Sequence, residues 1–116
     1  MNMAWILVGS AVVIVLALAV RLASAGGNSG EAKMKIRDGA MVIDVRTPGE
    51  YGDGHYEGAT NIPLQELGSR LAELKDKNKA IVVYCASGMR SAQAARLLTA
   101  AGFTDVTNAG GLGNLR

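Results

Sequence analysis

One cysteine stands in the whole chain, Cys85, and one histidine, His55. A single thiol excludes an internal disulfide. A structural zinc site takes about four Cys and His ligands, so that reading is excluded as well. Charge is missing from one end: no charged side chain lies between Met3 and Val20, and no Asp or Glu precedes Glu31. Of the twelve Lys and Arg residues only Arg21 comes before Lys33, so the chain from Glu31 onward carries eleven against ten Asp and Glu. No basic stripe is present, which argues against a nucleic-acid partner. Lys75, Lys77 and Lys79 do cluster, but Glu73 and Asp76 interleave with them, as on a solvated helix end. There is no internal repeat.

The 116 residues divide by composition. Ala4 to Val20 reads AWILVGSAVVIVLALAV. A membrane-spanning helix needs about 20 largely apolar residues, with a lower limit near 17, and Trp5 stands where an interfacial aromatic belongs. Residues 1–25 are therefore expected to form an N-terminal hydrophobic helix that anchors the chain in a membrane. Arg21, Lys33, Lys35 and Arg37 on its downstream flank place the following domain on the cytoplasmic side. The alternative is a signal peptide cleaved after Ala23-Ser24-Ala25, which would leave the domain in the periplasm. The absence of a basic residue in Met1-Asn2-Met3 and the length of the apolar run speak against it. Residues 26–30, GGNSG, have the composition of a flexible linker. Residues 31–116, about 85 in all, suffice for one small domain.

Within that domain, Glu31 to Arg37 reads as a short helix and Met41 to Val45 as a buried strand. Thr47-Pro48 has the signature of a helix start, threonine as cap and proline in the first turn. Thr60 to Ile62 reads as a brief second strand. Leu64, Leu67, Leu71 and Leu74 predict one amphipathic helix, and Ala80 to Tyr84 a buried strand. Ser91 to Ala101 predicts a helix stopped by Gly102. Thr104 to Thr107 would be a last strand and Asn108 to Gly113 a loop. Strands alternating with helices predict an α/β fold, a small parallel sheet with helices on both faces.

The chemistry concentrates at VVYCASGMRS, Val82 to Ser91. A buried strand ends at Cys85, a tight small-residue loop follows, and a helix begins. Ligands of open α/β sheets bind beyond the carboxyl ends of the strands. Loop amides pointing inward and a helix N-terminus both favour an anion there, and both lower a thiol's pKa. Arg90 adds a positive charge at the rim. A buried, inert structural cysteine is the competing reading.

These residues resemble the rhodanese family from about Glu31 to the end of the chain. The resemblance rests on Asp44-Val45-Arg46 followed by Glu50-Tyr51; on Gly54-His55, Gly58-Ala59 and Asn61-Ile62-Pro63; on the loop Cys85 to Ser91; and on Asn108 to Leu112. The type is that of small single-domain bacterial sulfurtransferases. It implies covalent catalysis without cofactor or metal. Cys85 would take sulfur from a small donor such as thiosulfate as a persulfide and pass it to cyanide or a thiol. Ala86, Ser87, Gly88, Met89 and Arg90 would bind the substrate, their amides stabilising negative charge. Asp44 and Arg46 would organise the region from behind, Arg46 pairing with Glu50, while His55 would serve packing. A sulfur carrier or sensor at the membrane is the non-catalytic alternative. Phosphatase and arsenate-reductase relatives have loops one residue longer; here Arg90 gives Cys-x4-Arg, and position 91 is serine. Ala86 and Ser87 stand where thiosulfate-preferring relatives have basic residues.

Overall fold

The computed structural model describes residues 26–116, so the expected N-terminal helix lies outside the described residues. No helix among the described residues is long and apolar enough to cross a membrane. The elements run α1 (Ser29–Arg37), β1 (Met41–Asp44), α2 (Pro48–Asp53), β2 (Thr60–Asn61), α3 (Leu64–Leu67), a 3₁₀ turn (Leu71–Leu74), β3 (Ile81–Cys85), α4 (Met89–Ala100), β4 (Val106–Gly111) and a second 3₁₀ turn (Leu112–Leu115). The strands form one sheet in the order β2-β1-β3-β4, and every neighbouring pair is parallel.

Strand β3 is buried along its whole length, as a central strand covered on both faces must be. Its side chains alternate. Ile81, Val83 and Cys85 join the core under α3 and α4, with Leu67, Ala94 and Leu98. Val82 and Tyr84 join the opposite core, with Ala32 of α1, Ala109 and Leu115. Helices on both faces, as the alternation of elements predicts, thus put Cys85 and Tyr84 on opposite sides of one sheet.

Three boundaries differ from the sequence reading. The leucine stripe is split: α3 ends at Gly68, and Leu71 to Leu74 form a separate 3₁₀ turn closed by Lys75 at φ 57°. Glycine is a poor helix former, but Leu67 and Leu74 still bury completely or nearly so, which is what their spacing encodes. Strand β4 continues through Asn108 to Gly111, where a loop was expected. The register passes from Val83–Asn108 to Tyr84–Gly110, so Ala109 is the extra residue of a bulge. The Asn108 side-chain oxygen accepts from the Gly110 amide at 2.9 Å, and Gly110 takes φ 87°. Residues 26–30 are not a free linker. Asn28 caps α1 by accepting from the Glu31 amide at 3.1 Å, and Ser29 and Gly30 are already helical. The Asn28 amide donates to the Asn108 carbonyl at 2.7 Å. A Cβ on Gly27 would lie 2.5 Å from the Gly110 nitrogen, so this close approach requires glycine.

Candidate active site

Cys85 is the last residue of β3, and Gly88, at φ 103°, turns the chain into α4. That turn folds the loop back over the sulfur. The Gly88 amide donates to Cys85 Sγ at 2.9 Å, and the Ser91 hydroxyl lies 3.4 Å from it. Gly111 lets β4 close against the loop: a Cβ there would meet the Ala86 carbonyl oxygen at 2.5 Å. Burial pushes the Cys85 thiol up. The Ser91 hydroxyl and the amides of Ser91, Gly88 and Ser87 outweigh it, and the net shift is downward. The site therefore favours thiolate at a lower pH than an ordinary cysteine. The residue itself is 0 % exposed, whereas Ala86, Ser87 and Met89 around it are exposed. The sulfur lies one layer below the surface, under its own loop.

Ser91 enters the site although the sequence reading, which placed it at the end of the loop and the start of a helix, gave it no role in binding. Its hydroxyl, fully buried, is also 3.1 Å from the Gly88 carbonyl and 3.4 Å from that of Gly110. It joins loop, bulge and sulfur. Its position in the first turn of α4, whose open end faces the cysteine, is the signal that could have found it.

Ser91→Ala is expected to raise the Cys85 pKa, because the thiolate loses one of the hydrogen bonds that hold it down. The sign follows from the thiolate being the stabilised form: the variant loses reactivity at a higher pH than the wild type as pH falls. The pH dependence of alkylation by iodoacetamide measures it, and an unchanged midpoint would remove Ser91 from the site. With each rate normalised to that of glutathione, a bulky maleimide should react with the wild type at least about tenfold more slowly than iodoacetamide does, because the sulfur is covered. Equal rates would mean that the loop does not screen it.

Arg90 is not the free rim cation of the sequence reading. Its guanidinium donates to both carboxylate oxygens of Glu50, at 2.7 and 2.9 Å. Glu50 in turn completes a capping box with Thr47 at the start of α2. Hydrogen bonds from Arg90, then from Thr47, lower the Glu50 carboxyl to about 2.

The expected Arg46–Glu50 pair is replaced accordingly. Arg46 binds Asp44: its Nε reaches Oδ1 at 3.0 Å, its Nη2 reaches Oδ2 at 2.6 Å, and its amide reaches Oδ1 at 2.9 Å. Tyr84 donates its hydroxyl to Asp44 Oδ2 at 2.7 Å and accepts from the Tyr56 amide at 3.0 Å. Burial, then the hydrogen bond to Asp44, pushes the Tyr84 phenol up to about 12, so it remains a donor. This network lies on the face of the sheet opposite Cys85. Asp44 and Arg46 brace the ends of β1 and β3 and do not touch the sulfur. His55 stacks on Tyr51, with ring centroids 3.6 Å apart, and its Nδ1 is 2.8 Å from the Tyr51 carbonyl. It organises the turn after α2. Among the described residues no cluster of His, Cys, Asp or Glu could hold a metal ion.

The sequence that builds this strand-end thiol and parallel sheet matches one family model. The rhodanese-like domain covers residues 28–112. The chain belongs to the rhodanese-like family. It is 49% identical over 71 residues to the thiosulfate sulfurtransferase PspE of Escherichia coli K12, an alignment covering 60% of this chain and 68% of PspE. Among solved structures, it is similar to a rhodanese with anions from E. coli, with 46% identity and a TM-score of 0.62, covering 65% of this chain and 89% of that one. The human single-domain sulfurtransferase TSTD1 shares 30% identity at a TM-score of 0.66, covering 73% and 88% respectively. Sulfur transfer is thus the chemistry of this rhodanese-like family at the level its relatives represent.

Proposed function

We propose that the chain is a sulfurtransferase that moves sulfane sulfur from a small donor such as thiosulfate to cyanide or a thiol, through a persulfide on Cys85. The carrying observation is the Gly88 amide donating to Sγ, with the Ser91 hydroxyl 3.4 Å from the same atom. The Cys85 thiolate attacks the outer sulfur of the donor, a sulfur–sulfur bond forms, and sulfite leaves with the electron pair of the broken bond. The acceptor then attacks the outer sulfur of the persulfide, and the thiolate departs to its starting state. The amides that stabilise the thiolate also suit the persulfide anion, so both halves of the cycle use one preorganised collar. The Cys-x4-Arg loop, shorter than that of the phosphatase relatives, supports sulfur over phosphate as the group transferred.

Mass spectrometry after exposure to thiosulfate tests the first half: a one-sulfur adduct on Cys85 is the expected result. Addition of cyanide should then remove it and yield thiocyanate over many turnovers. A protein that loads once and releases nothing would be a carrier, and hydrolysis of a phosphate ester without any adduct would overturn the sulfur chemistry.

We also propose that residues 1–22 tether this domain to a membrane, with the domain on the cytoplasmic side. The uncharged run from Met3 to Val20 and the basic residues after it support that placement. Sequencing of the mature N-terminus tests it, because a chain beginning at Gly26 would instead be a processed, periplasmic form.

A further inference from the structure

Arg90 is the only basic or acidic side chain in the loop from Cys85 to Ser91. Nothing else on that loop can offset the charge of an incoming anion except main-chain dipoles. Yet the guanidinium is held on both oxygens of Glu50, at 2.7 and 2.9 Å. Glu50 is itself fixed. Its Oε1 accepts from the amide and hydroxyl of Thr47, both at 3.1 Å, and its own amide donates to the Thr47 hydroxyl at 3.2 Å. The acid is bound into the first turn of α2, and the base into the first turn of α4. Arg90 and Glu50 are each 34 % exposed, so a donor entering from solvent meets both charges together. With its carboxyl lowered to about 2, Glu50 is ionised wherever Cys85 is a thiolate.

The rim is therefore close to neutral. What remains positive is the end of α4 with its amides, worth about half an elementary charge. Against this stands the full negative charge of the thiolate. A doubly charged donor meets about twice the net repulsion that a singly charged one meets. We propose that Glu50 sets donor preference by cancelling Arg90, so that the site takes singly charged sulfane compounds, thiosulfonates being the simplest, in preference to dianionic thiosulfate. This rests on the sulfurtransferase reading above. Glu50 is a specificity-determining residue that acts through Arg90. The step balances as for thiosulfate: the thiolate bonds to the outer sulfur of the thiosulfonate, the bond between that sulfur and the sulfonyl sulfur breaks, and a sulfinate leaves with its electron pair.

The test compares kcat/KM for thiosulfate and for benzenethiosulfonate, with cyanide as common acceptor, in the wild type and in Glu50→Gln. Glutamine keeps a hydrogen-bond acceptor for Arg90 and removes one unit of negative charge several ångströms from the donor. At water-like screening this should raise kcat/KM about tenfold for the dianion and about threefold for the monoanion, so the ratio moves about threefold towards thiosulfate. The change should lie in KM more than in kcat. A ratio that stays constant while both values fall would make Glu50 a support for the loop only, and would overturn the proposal. Ionic strength gives a second readout on the wild type, independent of any variant. Added inert salt should raise kcat/KM for thiosulfate relative to benzenethiosulfonate by screening repulsion; a relative fall would reveal a net positive rim and would also overturn it. Failure of both donors to load Cys85 is a different result, and it removes the sulfurtransferase reading itself.

Discussion

Cys85→Ser should lower sulfur transfer by at least about a thousandfold while leaving the domain folded. The substitution exchanges one buried atom for a slightly smaller one in a collar that already donates to it. The Gly88 amide and the Ser91 hydroxyl can bond an oxygen as they bond the sulfur. Stability should therefore change by no more than about 1 kcal/mol, as for substitutions that create neither a large cavity nor an unpaired group. The chemistry has no such tolerance. A serine hydroxyl is not ionised by these hydrogen bonds at neutral pH, and it cannot form the sulfur–sulfur bond on which both proposed half-reactions turn. Steady-state turnover, the one-sulfur adduct and the thermal melt should be measured on the same sample. A folded variant that still turns over would sink the persulfide mechanism.

The second large effect is on stability. Asp44 is fully buried, and its carboxylate holds the Arg46 guanidinium, the Arg46 amide and the Tyr84 hydroxyl. Arg46 Nη2 also donates to the Gly54 carbonyl at 2.7 Å, and the guanidinium carbon sits 5.6 Å from the centre of the Tyr84 ring. Asp44→Asn keeps the shape and removes the charge. Arg46 is then left as a buried cation facing an amide, a loss of about 3–5 kcal/mol. For a domain of this size the melting temperature should fall by more than about 10 °C. Lys35→Ala provides the contrast. It breaks the Lys35–Asp105 pair at 2.9 Å, whose side chains are about a third exposed, and such solvent-screened pairs add little to stability. Denaturant midpoints of the two variants decide the point: equal, small shifts would mean that the Asp44 network does not hold β1 to β3.

The parts of the site that were legible in the sequence are those encoded by neighbouring residues. Thr47-Pro48 announces a helix start because capping is settled within one turn, and the structure adds Glu50 to the same box. Cys85 is recognisable because an apolar run, a glycine and a helix former follow one another along the chain. The leucine stripe predicts which side chains bury. It does not predict that Gly68 divides the helix, since a period persists across a break. The glycines of β4 read as a loop for a related reason. They are tolerated there because the Gly26 carbonyl presses against Gly110 and the Ala86 carbonyl against Gly111, and neither contact can be inferred from position 110 or 111 alone.

By itself, the order of residues determined the parallel α/β plan and the strand-to-helix turn at Cys85. Each of these depends on periodicity or on interactions spanning a few residues. Tertiary structure alone decided the long-range polar pairs. Arg46 and Glu50 are close in sequence, but β1 lies beside β3, and that neighbourhood gives Asp44 to Tyr84 and Arg90 to Glu50, pairs separated by forty residues. A long-range pair forms with whichever partner the packing of strands and helix ends brings within hydrogen-bond reach, and no local pattern carries that information.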